Sequence, residues 1–240
     1  MLVAAAVCPC PPLLVPEVAA GAAPEMDAAR SACSDALGVL AAARPDLLVV
    51  VGSAGESGRG SFPQGTPGSF RGFGVDVRVR LGSAGDTAPE PSERELPPSL
   101  AVGARLLERT GWADAPIEGL GIEETLAPER CAEAGRQIGA RAERVALLVM
   151  GDASACRTVK APGYLDERAA PFDAAVARAL GTADVPALQA LDPVLAHELK
   201  ASGRAPWQIL AGAAQDRNLT GSLLYEDAPY GVGYVVAAWS

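Results

Sequence analysis

Short apolar runs recur along the chain and predict buried strands. Each run lacks strict alternation and is bounded by Gly, Pro or Asp, which is typical of strands covered on both faces of a sheet. The runs lie at residues 2–7, 47–52, 145–150 and 231–238. A further stretch, VDVRVRL at 75–81, alternates apolar and polar residues and therefore predicts an edge or half-buried strand.

Apolar residues at helical spacing separate these runs. Residues 24–43, PEMDAARSACSDALGVLAAA, begin with a proline and acidic residues, as helices commonly do, and predict a long helix. Further helices are predicted at 97–110, 127–141, 166–181 and 192–214, the last interrupted near Ser202 and Gly203. The alternation predicts a single α/β domain over residues 1–240, with a central, mostly buried sheet flanked by helices.

Residues 53–96 have a different composition from the rest of the chain. They are rich in Gly, Ser and Pro, apart from the strand predicted at 75–81, and predict a loop insertion in the domain. A long loop in a compact domain commonly carries function, and here both a lid over a pocket and an interface are open interpretations.

The balance of charge limits the partners that the chain is expected to take. It has 29 Asp and Glu residues against 20 Lys and Arg, a net charge of −9 and a pI near 4.7. Nucleic acids and anionic membranes attract clustered basic residues, so neither is an expected partner. No apolar run reaches the roughly 18 residues of a membrane-spanning helix. Five cysteines, an odd number, do not resemble a disulfide framework, and a soluble, cytoplasmic protein is the expectation.

Three familiar catalytic or phosphate-binding patterns are incomplete. GSAGESGRG at 52–60 lacks both the Gly-Lys-Ser/Thr ending of a P-loop and a helical pattern after it. GDASA at 151–155 has Ala155 where a nucleophile elbow needs its second glycine. The single histidine, His197, lies among charged neighbours in a helix-like stretch, which argues against a Ser-His-Asp hydrolase.

The two cysteines of VCPCPP lie at the end of the first apolar run. Cys8 and Cys10 are two positions apart, so on a strand both thiols would face one side, at the edge where open α/β sheets commonly form sites. A Cys-x-Cys pair with no second Cys or His pair nearby is a weak zinc pattern, and cysteine is often simply a small buried residue. A thiolate metal site, a reactive thiol and an inert turn are all open.

Four stretches in order carry a wider resemblance: VCPCPPLL at 7–14, LLVVVGSAG at 47–55, LLVMGDASACR at 147–157 and LLYEDAPYGVGYVVAAW at 223–239. Together they resemble the class III extradiol ring-cleavage dioxygenases of the catalytic B-subunit type and the related Memo-like proteins. The resemblance covers nearly the whole chain and implies an extradiol dioxygenase fold of that type. It also implies a mononuclear Fe(II) held by two histidines and a glutamate, with a further histidine for acid–base chemistry.

The residues that the resemblance would place at the iron are absent from this chain. The first histidine position holds Cys10, the second falls near Ala54, and the acid–base position holds Ala155. The glutamate, a cysteine in Memo-like proteins, matches Ser202. The pattern is otherwise retained at Gly151, Asp152 and Ser154.

Two functions are compatible with this loss. The first is a non-catalytic binding or interaction protein, a degenerate member of the superfamily, which needs no cofactor and whose partner is an unknown small molecule or protein. The alternative is a dioxygenase-like oxidoreductase with a rebuilt site, in which zinc or Cu(I) is held through Cys10, Cys8 and Cys156. Family analogy also favours a homo-oligomer. The expected pocket residues are Cys8, Cys10, Ala54, Asp152, Ser154, Cys156 and Ser202.

Overall fold

The apolar runs of the sequence form neighbouring strands in the middle of one sheet. In this computed structural model, which describes residues 1–83 and 94–240, the sheet runs β3-β6-β2-β7-β1-β9-β8. Its strands are β1 Leu2–Cys8, β2 Leu47–Ser53, β3 Gly60–Phe62, β6 Ile117–Ile122, β7 Val145–Met150, β8 Gly221–Asp227 and β9 Tyr234–Trp239. A separate antiparallel hairpin pairs β4 Pro67–Ser69 with β5 Arg78–Arg80.

Four adjacent strands, β6, β2, β7 and β1, are parallel, and antiparallel strands lie at both sides of them. All residues of β7 are buried, as are all of β9 and nearly all of β1 and β2. Burial on both faces explains why these segments are continuous apolar runs. The structure is thus one α/β domain with a mixed seven-stranded sheet flanked by helices, and the predicted fold class is confirmed.

The helices cover both faces of the sheet. Every predicted helical segment forms a helix, and two short helices, Pro16–Ala19 and Val185–Gln189, were not predicted. They are α1 Pro16–Ala19, α2 Asp27–Ala42, α3 Pro98–Thr110, α4 Pro128–Gly139, α5 Ala169–Gly181, α6 Val185–Gln189, α7 Pro193–Glu198 and α8 Arg204–Ala213. Pro98, Pro128 and Pro193 each stand in the first turn, where the missing N–H costs no hydrogen bond. The predicted interruption near Ser202 separates α7 from α8 and is confirmed.

Two hydrophobic cores of the described residues lie on the two faces of the sheet. One packs the side chains of α2, α3 and the β4–β5 hairpin against alternate strand residues such as Cys8 and Met150. The other packs α4 to α8 against the intervening strand residues, such as Val7 and Val149. Outside a register shift between Leu2 and Ala4 in β1, the strand residues alternate between the two cores, as the period of two along a strand requires.

The sequence-based prediction was wrong where glycine-rich segments form strands. The stretch 53–96 was expected to be a loop around one strand, yet β3 and β4 also form in its described part, and the 75–81 strand shortens to β5. Residues 84–93 of that predicted loop lie outside the described residues. Strand β6, IEGLGI, was also missed. Its Gly121 is required because a Cβ there would collide with the carbonyl oxygen of Gly58.

In the described part of the chain, none of the helices is both long enough and apolar enough to cross a membrane.

Candidate functional site

A turn with few backbone donors shapes the end of β1. In Pro9-Cys10-Pro11-Pro12 the prolines lack an N–H group, so Cys10 supplies the only backbone donor of the turn. That N–H donates to Oδ1 of Asp152 at 2.8 Å, just after β7. The Cys-Pro-Cys stretch therefore brings Cys10, rather than Cys8, against the loop that follows the neighbouring parallel strand.

Asp152 ties three loops together at the carboxyl ends of the strands. Besides the backbone bond from Cys10, its Oδ2 lies 3.9 Å from the Cys10 thiol, which can donate to it. The backbone N–H of Asp152 donates to the hydroxyl of Ser202 at 3.1 Å, and its carbonyl accepts the N–H of Gly203 at 2.9 Å. We call Cys10, Asp152 and Ser202 the edge cluster; all three are partly buried.

Burial raises the pKa of both acidic groups of the edge cluster. Desolvation raises the pKa of Asp152 to about 7, against which the two hydrogen bonds from Cys10 act. Desolvation, followed by the charge of Asp152, also raises the pKa of the Cys10 thiol well above its usual value. Near neutral pH the thiol is therefore protonated, and the carboxyl group is the one that titrates.

Tyr234 of β9 belongs to the surroundings of the edge cluster. Burial first, and then the charge of Asp152 and Cys10, raise the pKa of its phenol. The side chain is buried in the core on the α2 and α3 face of the sheet. Tyr234 is therefore a neutral phenol, and no pattern along the chain indicated that it would lie near Asp152.

The other expected pocket residues are not part of this cluster. Cys8 is fully buried beside Cys33 of α2, and that contact is the largest cause of its raised pKa. Cys156 lies in the core on the opposite face, where its thiol is 3.5 Å from the carbonyl oxygen of Leu199. The expected grouping of Cys8, Cys10 and Cys156 at one metal is therefore not the arrangement in the structure. A strand residue alternates between faces, and residue 156 follows a different strand from residue 8.

The hydrogen bonds of Ser154 indicate a structural role. Its N–H and hydroxyl both donate to the carboxylate of Asp173 at 2.8 Å, and a guanidinium N–H of Arg157 donates to Asp173 at 3.0 Å. Ser154 and Asp173 are both almost completely buried. Asp173 of α5 therefore holds the loop after β7 in place. The sequence-based prediction missed this residue, although an acid within an apolar helix is a signal that could have found it.

The two alanine positions of the resemblance offer no chemistry. Ala54 follows β2, and its N–H donates to the carbonyl oxygen of Ile122. The N–H of Ala155 donates to the carbonyl oxygen of Leu199 at 2.9 Å. Both side chains are 9% exposed methyl groups without a donor or a lone pair. Within the described residues, no group of three or more His, Cys, Asp and Glu side chains could hold a metal ion.

A buried arginine holds the loop after β6 beside the edge cluster. Arg204, 2% exposed, donates to the carbonyl of Leu126 at 2.6 Å and to the Gln208 side chain at 2.9 Å. It also donates to the carbonyl of Glu124. Desolvation lowers the pKa of the Arg204 guanidinium. The three hydrogen bonds named above run to uncharged carbonyl and amide oxygens, so the buried cation has acceptors but no carboxylate partner among them.

Comparisons with known proteins support the fold and leave the function open. No family model matches the chain, and no curated protein matches it. Among solved structures, 18 chains match. One is the crystal structure of the uncharacterized protein JW3007 from Escherichia coli K12, 16% identical, with a TM-score of 0.57 over 99% of both chains. At that identity the likeness concerns the fold alone.

Proposed function

We propose that this protein is a non-catalytic binding or interaction protein on a scaffold similar to the catalytic B-subunit type of class III extradiol dioxygenases. The observation that carries the proposal is the residue set at the carboxyl ends of β1, β2 and β7. Cys10, Ala54 and Ala155 stand there, where the resemblance would require imidazoles. Open α/β sheets bind their ligands at this edge.

Fe(II) does not fit the residues present. The iron of such enzymes needs imidazole and carboxylate ligands that leave positions open for substrate and oxygen. Alanine supplies no lone pair, and Ser202 is already the acceptor for the backbone N–H of Asp152. Asp152 and Cys10 remain as two possible metal ligands. Desolvation raises the pKa of both groups, so both keep their protons more readily than usual.

The edge cluster is suited to recognition rather than to bond breaking. Its three residues are partly exposed, and thiol, carboxyl and hydroxyl groups can each donate or accept a hydrogen bond when they are protonated. A raised thiol pKa disfavours the thiolate that nucleophilic catalysis needs. A small molecule or protein segment that reaches this edge would meet a protonated thiol, a hydroxyl group and a carboxyl group that titrates near neutral pH.

Elemental analysis and a turnover assay test the proposal together. We would purify the untagged protein under reducing conditions and measure its metals by plasma mass spectrometry. We would then add Fe(II) anaerobically and assay cleavage of catechol after admitting dioxygen. We expect no stoichiometric metal and no ring-cleavage product. Stoichiometric iron together with cleavage of catechol would overturn the proposal.

The second candidate, a cysteine-containing zinc or Cu(I) site, is favoured by the contact between the Cys10 thiol and Asp152. It predicts stoichiometric zinc or copper that Cys10→Ser abolishes. The matched control is Cys33→Ala, which removes a thiol outside the edge cluster and should leave the metal content unchanged. Unchanged metal content in Cys10→Ser would rule this candidate out.

A further inference from the structure

A second candidate site lies far from the edge cluster in the fold. A cavity of about 760 Å³ opens between the β4–β5 hairpin and the C-terminal end of α3. It reaches Ile117, the first residue of β6, so it is near the amino ends of the parallel strands, and its described lining shares no residue with the edge cluster. Its volume is in the range of sites that hold small molecules.

One wall of the cavity is apolar. It is formed by Val79, Leu107, Trp112 and Ile117, which are 9% exposed or less. The indole N–H of Trp112 donates to the carbonyl of Ala115 at 3.1 Å, so the ring rather than the N–H is free to face a ligand. This wall would accept the hydrocarbon part of a small molecule.

Arginines also line the cavity. Arg78 and Arg80 flank buried Val79 along β5, so both extend from the exposed face of the hairpin. Exposed Arg71 joins them in the lining. One side-chain N–H of Arg71 donates to Asp76 at 2.7 Å, and one of Arg80 donates to Gly65 at 3.1 Å. Arg78 approaches Asp76 to 4.0 Å. Because each guanidinium has five N–H donors, these contacts leave donor capacity for a ligand.

Acidic residues also line the cavity and limit the charge of its ligand. Glu108 is occupied, because it accepts the backbone N–H of Arg80 at 2.9 Å and pairs with Arg105 at 3.5 Å. Glu95 is close enough to Arg71 to raise its pKa, after the larger effect of Asp76. With these acids and a net charge of −9, the protein would repel a polyanion, but the arginines can still receive one small anionic group.

We infer that this cavity binds a small organic anion, a carboxylate or a phosphate monoester with an apolar body. Its anionic group would accept N–H bonds from Arg78 and Arg71, and its body would lie against Trp112. The inference is independent of the function proposed for the edge cluster.

The test uses four probes that share a benzene ring: benzoate, phenyl phosphate, neutral benzyl alcohol and cationic benzylamine. Binding is followed by NMR through the indole N–H signals of the three tryptophans. Trp207 and Trp239 are completely buried elsewhere and serve as internal controls. We expect benzoate or phenyl phosphate to shift the Trp112 signal alone, and the alcohol and the amine to leave it in place.

Charge variants then locate the binding groups. In R71Q/R78Q, and to a smaller extent in R78Q, the affinity for the anion should fall about tenfold or more, since charge-assisted hydrogen bonds are lost. Exposed Arg130 of α4 lies outside the described lining of the cavity, so R130Q should bind as the wild type does. The inference is overturned if no probe shifts Trp112, if the alcohol or amine binds as well as the anions, or if R71Q/R78Q keeps full affinity.

Discussion

At the scale of single residues, two aspartates after and beside β7 have different neighbours and different roles. Asp173 is closed inside the domain against Ser154 and Arg157, whereas Asp152 lies partly exposed among neutral groups. Burial raises the pKa of both carboxyl groups. Asp173 therefore contributes mainly to stability, and Asp152 determines how the edge cluster responds to pH.

Replacing Asp173 by Asn should destabilise the protein by about 1 to 3 kcal/mol. The carboxylate of Asp173 accepts hydrogen bonds from Ser154 and Arg157. The amide NH₂ group of asparagine can only donate, so it would face one of these N–H or O–H groups without forming a hydrogen bond. Urea unfolding measures the loss. Exposed Glu167 supplies the control, because E167Q removes the same charge and should change the free energy of unfolding by less than about 0.5 kcal/mol. Equal stabilities of the two variants would contradict this role of Asp173.

Asp152 should make the folded state less stable as the pH rises. Its pKa is raised from 3.8 to about 7 on folding, so between these values the folded chain binds a proton that the unfolded chain has released. The free energy of unfolding therefore falls with pH across this window and levels off above it. From about pH 5 to about pH 8, the wild type should lose about 1 to 3 kcal/mol relative to D152N. A difference that stays constant or grows in favour of the wild type would disprove the shift.

At the scale of elements, the close approach of β7 and α8 depends on glycine. The backbone of Gly151 lies directly against Gly203, and a Cβ on Gly203 would collide with the ring of buried Trp207. Gly203 has φ −78°, so its backbone conformation suits any residue and the constraint is steric. This packing is what positions Asp152 beside Ser202.

Gly203→Ala should therefore cost about 1 to 3 kcal/mol of stability, because the indole ring cannot move without disturbing its core. Gly38→Ala is the matched control, since no described heavy atom lies within 4 Å of its added Cβ on the exposed side of α2. That change should stabilise the protein by about 0.5 to 1 kcal/mol, as glycine is a poor helix former. Thermal unfolding of both variants checks the contrast, and a tolerated Gly203→Ala would refute it.

At the scale of the whole molecule, the sheet couples the two hydrophobic cores. Alternate residues of β1, β2 and β7 belong to one core or the other, so neither core can open without disrupting strands that the other needs. Trp112 reports on one core, and Trp207 and Trp239 report on the other.

The two cores should therefore unfold together. With 5-fluorotryptophan incorporated, the three native fluorine signals should disappear at one urea concentration, which should coincide with the loss of far-UV circular dichroism. An earlier loss of the Trp112 signal would show that the face of α2, α3 and the hairpin unfolds separately.

Much of the fold was predictable because burial leaves a direct mark on the sequence. Strands covered on both faces must be apolar throughout, which identified β1, β2, β7 and β9, and helical spacing identified α2 to α5. Strands β6 and β8 are not continuous apolar runs, so the sequence did not identify them. Gly121 of β6 allows a close backbone contact, Gly119 lies against core side chains, and β8 lies at the sheet edge with most of its residues exposed.

The order of residues along the chain was enough to establish the fold class, the Cys-Pro-Cys turn after β1 and the absence of imidazoles from the positions that the resemblance marks. Three-dimensional packing was needed to show that Cys10 meets Asp152 and Ser202, that Cys8 lies with Cys33, and that Cys156 lies on the other face. The reason is that periodicity describes neighbours along one element. Contacts between residues 142 or 50 positions apart depend on strand order and on the packing of loops after the strands.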